Sequence, residues 1–115
     1  MTGNTKQALA WAEDGLKACP DYAELYRIKA MAYIADEDFE SAKECVDKAI
    51  EKEEYTLAYM VSLIVENELG NKDKVKEIKE KLKEHDVELS EKTEKYLKGK
   101  ITAKQMFTEG TGDVE

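Results

Sequence analysis

With 115 residues, 42% of them hydrophobic and 38% charged, the chain is long enough for one small domain with a thin apolar core. Its apolar residues are spread too evenly for an intrinsically disordered segment. The formal net charge of −8 arises within residues 1–70, where 7 Lys and Arg face 15 Asp and Glu, whereas residues 71–115 balance at 11 of each; an acidic half of this kind repels nucleic acid and anionic membrane.

The chain opens on Gly3-Asn4-Thr5-Lys6-Gln7-Ala8, a polar turn leading into a helix, with Asn4 and Gln7 spaced for reciprocal capping. The polar start lacks the charged end and apolar stretch of an export signal, so a reducing, cytoplasmic setting is expected. Ala8, Ala12, Gly15 and Leu16 recur on one face of this first helix, and Pro20 keeps it from continuing past Cys19. A second helix is expected over about 22–35, with Tyr26, Ala30 and Tyr33 on one side. The turn Glu37-Asp38-Phe39-Glu40-Ser41-Ala42 then leads into a third, carrying Ala42, Val46, Ala49 and Ile50.

A fourth helix, about 55–69, contains the longest uncharged run, Tyr55 to Val65. Its 11 residues fall well short of the ~18–20 that a membrane span needs, and a buried helix is expected. Gly70-Asn71-Lys72-Asp73-Lys74-Val75 opens a fifth, with Val75, Ile78 and Leu82 inward. Its lysines, Lys72, Lys74, Lys76, Lys79, Lys81 and Lys83, alternate with Asp73, Glu77, Glu80 and Glu84, which makes a solvated face laced with ion pairs. Ser90 is placed to cap a sixth helix running to about Lys98, with Leu89, Thr93, Tyr96 and Leu97 on one side and Gly99 as its stop. Thr102-Ala103-Lys104-Gln105 opens a short helical turn with Ile101, Met106 and Phe107, and residues 110–115 read as a flexible tail.

The three polar turns fall at spacings of 34 and then 33 residues, so the chain is built on a repeat of two helices. Tyr26, Ala30 and Tyr33 before the middle turn, with Ala42, Val46 and Ala49 after it, resemble a tetratricopeptide repeat. The resemblance covers residues 3–85 and is sharpest in the middle. In the last unit Tyr59 matches Tyr26, but Leu63 stands for Ala30, Glu66 for Tyr33 and Lys79 for Val46. It implies an all-α fold in which antiparallel helix hairpins stack as a short α-solenoid: repeats over 1–85 with the first lacking its helix A, a capping helix over 86–100, and a helical turn and tail over 101–115. A hairpin of this size cannot bury its apolar face alone and relies on its neighbours for a core.

Catalysis is not expected, and neither a cofactor nor a metal site is. His85, the only histidine, sits near a helix end with no nucleophile placed beside it. Glu53 and Glu54 adjoin in sequence with nothing to raise a pKa, and Gly110 and Gly112 lie in the tail with no strand before them. Cys19 and Cys45, 26 residues apart, match neither a metal spacing nor a redox pair and read as small buried or half-buried thiols.

The function implied is a protein–protein interaction scaffold that takes a peptide or helix in a concave groove lined by the A helices. The resemblance assigns to that groove Glu24, Arg27, Met31 and Ile34 from one unit and Met60, Ile64 and Asn67 from the next. Arg27 offers a fork to a carboxylate, while the Met and Ile residues offer deformable apolar area, or else serve as core. Met31 stands where family members that clamp a carboxylate terminus carry Asn, so that clamp is not expected. Without a helix A before it, the first helix leaves Ala8, Trp11, Ala12 and Leu16 uncovered. Excision from a longer protein accounts for this, and so does a homodimer through that face. The alternative function is a structural or regulatory spacer whose groove is filled by the chain's own tail through Ile101, Met106 and Phe107.

Overall fold

Six helices follow one another through residues 3–103, which the computed structural model describes, with side chains described from Thr5 onward. They are α1 (Gly3–Ala18), α2 (Ala23–Ala35), α3 (Phe39–Lys52), α4 (Thr56–Glu68), α5 (Lys72–Glu84) and α6 (Glu91–Leu97), and the described residues include no strand. The bounds expected from the sequence hold to within a few residues. At the start, Asn4 already lies in the first helical turn; its cap with Gln7 falls outside the described side chains.

The connections among the first five helices alternate between two kinds, for a physical reason. Helices α2, α4, α5 and α6 each end with one residue in the left-handed region, followed by an amide that reaches back five residues: Asp38 N to Tyr33 O and Asn71 N to Glu66 O at 2.9 Å, and Val87 N to Leu82 O and Lys100 N to Lys95 O at 2.9 Å. The left-handed residues are Glu37 (φ 62°), Gly70 (φ 80°), Asp86 (φ 59°) and Gly99 (φ 81°). This device satisfies carbonyls that the helix leaves orphaned and reverses the chain within two residues. Glycine takes the conformation freely, whereas Glu37 and Asp86 adopt it at a cost of about 1–2 kcal/mol. By contrast, α1 stops before Pro20, and α3 ends on Glu53 in extended backbone. A tight turn therefore closes α2–α3 and α4–α5, and a looser link joins α1–α2 and α3–α4.

Side-chain caps reinforce two of the starts. Asp38 accepts from Ser41 N at 3.2 Å, and Ser90 accepts from Thr93 N at 3.1 Å, as its position in the sequence predicts.

Each of the first four helices packs on the next, and α2 also touches α4. A close approach joins α1 to α2 at Gly15, where an added Cβ would lie 2.6 Å from a Leu25 methyl. One core cluster gathers Ala30 and Ile34 of α2, Ala42 and Val46 of α3, Val61, Ile64 and Val65 of α4, and Tyr96 of α6. A second joins Tyr59 and Leu63 to Ile78 and Leu82 of α5. Helix α4 is the central rod, buried on nearly every side from Ala58 to Glu66. Each large aliphatic side chain removed from water here contributes roughly 1.5–3 kcal/mol.

The Glu66 carboxylate is fully buried at the centre. Lys43 Nζ donates to its Oε2 at 2.5 Å, and Asn71 Nδ2 to its Oε1 at 2.6 Å, so one carboxylate ties α3, α4 and the start of α5 together. Glu66, a departure from the repeat pattern, is thus a core residue with its own partners. Of the two thiols, Cys45 is buried as expected, but Cys19 is exposed because it lies in the turn after α1. Burial pushes the Cys45 thiol up from its ordinary value.

Candidate docking surface

Arg27 and Met31 lie one turn apart on α2 and line an open cleft of about 340 Å³ with Thr5 and Ala8 of α1 and Ile28, Ala32 and Ala35 of α2. The floor is methyl and methylene groups, and the one charged lining residue is already engaged. Arg27 donates through Nε to Glu24 Oε1 at 3.2 Å and through Nη2 to Glu24 Oε2, while Nη1 points at the Met31 sulfur. The fork offered to a partner's carboxylate is therefore occupied by the chain's own Glu24, three residues away on the same helix. That arrangement follows from i,i+3 geometry and a pair of complementary planes.

Tyr55, at the start of α4, donates to Glu24 Oε1 at 3.2 Å and links the pair to the next hairpin. Hydrogen bonding to Arg27 holds the Glu24 carboxyl below its ordinary value, and the same pair lifts Arg27. Burial, helped by Glu24, pushes the Tyr55 phenol up to about 12.

The remaining groove candidates divide. Ile34 and Ile64 are 0% and 3% exposed and belong to the core, so they present no surface to a partner. They share one cluster with Ala42 and Val46 of α3 and with Tyr96 of α6, whose hydroxyl lies 3.1 Å from Ile64 O. Met60 is half-buried against the Tyr59–Leu82 cluster. Asn67 lies apart from Arg27 and Met31, in a second cavity with Glu37, Phe39 and Glu68. The seven groove candidates thus do not form one surface.

The uncovered face of α1 also resolves into parts. Ala12 is fully buried rather than open, because it lies one turn before Gly15 on the side that approaches Leu25. Leu16 is half-buried. Ala8 lines the cleft, and Trp11, 61% exposed, stands three residues further along α1. Ala8 of this face therefore meets Arg27 and Met31 in the cleft, whereas Trp11 is not among the residues that line it.

Thr5, Ile28, Ala32 and Ala35 were not singled out by the sequence; the spacing of 28, 32 and 35 was the available signal, since it gives α2 a second apolar side. Met106 and Phe107 lie outside the described residues, whereas Ile101 packs on the Ile34–Ile64 cluster. Comparison with protein-family models, with curated proteins and with solved structures gives no match. No described helix is long and apolar enough to cross a membrane.

Proposed function

We propose that the chain is a tetratricopeptide-type helical scaffold for protein–protein interaction, and that its docking surface is the α1–α2 cleft. The repeat reading is supported by the alternation of tight and loose connections at the same period as the polar turns, and by the touch of α2 on α4. On this reading α6 is the capping helix. The cytoplasm remains the expected setting, and nucleic acid and membrane are not the expected partners of so acidic a chain.

One observation carries the docking proposal: the cleft is open and apolar, with its single guanidinium already neutralised by Glu24. Such a surface rewards methyl and aromatic groups and offers a free carboxylate no unpaired cation. A partner helix with an apolar stripe matches it, anchored beside Trp11. The test is selection from a displayed library of amphipathic helices. Binders are expected to lose at least tenfold in affinity on Ala8→Glu or Met31→Glu while the variants keep their helical signal; binders indifferent to both would sink the assignment.

The exposure of Trp11 favours a second reading, in which two copies bury this face against each other. Light scattering over a concentration series distinguishes it, because self-association predicts a dimer mass that Trp11→Glu returns to monomer.

A further inference from the structure

Helix α6 and the residues after it cover the face of α2 and α4 that carries Ile34 and Ile64. Tyr96 is the anchor: it is 3% exposed, and its hydroxyl donates to Glu68 Oε2 at 2.6 Å with Ile64 O 3.1 Å away as a second acceptor for the same proton. Leu97 and Ile101 pack on the same cluster, and Ala103 is buried within it. Between them, Gly99 in the left-handed region turns the chain from helix into strap.

This cover is weakly held. Helix α6 has seven residues, below the length at which a helix persists without tertiary support, and it is the most lightly packed of the described helices. Segments with few buried contacts open at free energies well under that of global unfolding. Beside the strap lies a cavity of about 340 Å³ bounded by Glu37, Phe39, Asn67 and Glu68. The cavity wall is acidic through Glu37 and Glu68, with Asp38 and Glu40 extending the acidic turn, and Lys98 and Lys100 stand exposed between the packed residues of the strap.

We propose that residues 91–103 are a self-ligand, a detachable cover that closes the α2–α4 face and yields it to a partner segment of the same pattern: an aromatic anchor, alternating lysines and an aliphatic residue. This face is distinct from the α1–α2 cleft and does not depend on it. A cover in the same chain competes with any such partner, and the partner's apparent affinity falls by the fraction of molecules that are open.

The test uses the full chain and, as probe, a fluorescently labelled peptide of residues 91–103. Weakening the resident copy by Ile101→Asp is expected to raise the affinity for the peptide at least tenfold. The Lys98→Glu, Lys100→Glu double variant alters exposed positions only, so it keeps the fold intact, and it is expected to raise affinity in the same direction. Trp11→Glu, on the other face, is expected to change nothing. If the folded double variant binds the peptide no better than the parent chain, or if Trp11→Glu abolishes binding, the cover is a fixed part of the fold and the proposal fails.

Discussion

Arg27 and Glu24, one turn apart on α2, form a two-pronged ion pair, and Tyr55 joins it from α4. A carboxylate whose value is lowered in the fold stabilises the protein above its unfolded value, near 4.5, and that contribution disappears as pH falls through the folded value. Because Glu24 is about a third exposed, the pair is worth about 1 kcal/mol or less. Arg27→Ala is therefore expected to lower urea stability slightly at pH 7 and by less at pH 3, as measured by paired denaturation curves. A deficit of equal size at both values would mean that Arg27 acts by packing alone.

The buried Glu66 network makes a sharper prediction. Lys43→Ala leaves the carboxylate with Asn71 alone and is expected to cost about 3 kcal/mol, since an uncompensated buried charge is the expensive state. Replacing both partners, Lys43→Met with Glu66→Leu, is expected to recover most of the loss in thermal denaturation. If the double variant is as unstable as the single one, the pair is not the source of the effect.

Alkaline behaviour follows from the tyrosines. Burial pushes Tyr59 up to about 12, with a further contribution from its bond to Glu54, and raises Tyr96 further in the same direction, reinforced by Glu68. Tyr55 shares the value of about 12. An acid whose value is raised in the fold contributes stability that is complete below its unfolded value, near 10, and is lost as pH climbs through the folded one. Stability is expected to fall between about pH 10 and 12, and phenolate absorbance to keep rising to about pH 12; Tyr59→Phe should remove part of that late rise.

The α1–α2 approach gives a packing test. Valine at Gly15 would drive two methyl groups into Leu25, which is itself 4% exposed and has little room to move. Gly15→Val is expected to destabilise by about 1–3 kcal/mol, read from the midpoint of denaturation. A neutral result would show that α1 is only loosely seated.

How far the sequence could be read depended on the range of the forces involved. Helix positions are legible because they rest on local signals: Pro20 after α1, Ser90 as a cap, Gly99 as a stop, and the polar turns at residues 37–42 and 70–75. The fate of Ile34 and Ile64 is not, because it depends on packing against α3 and on Tyr96, 32 residues downstream of Ile64, and nothing in the local pattern of α2 or α4 records those neighbours. The Arg27 fork is closed for a different reason: its partner Glu24 stands at i−3 on the same helix, so the two groove candidates satisfy each other and leave no free charge for a partner. Glu66 read as a break in the repeat because its partners, Lys43 and Asn71, come from neighbouring helices.

The central claim is that the α1–α2 cleft receives an apolar helix, and amide and methyl chemical-shift mapping of the isotopically labelled chain with a selected amphipathic peptide tests it most directly. The account predicts the largest shifts at Ala8, Ile28, Met31 and Ala32, with the Trp11 indole following. Shifts confined to α4 and α5, with those residues unmoved, would contradict it.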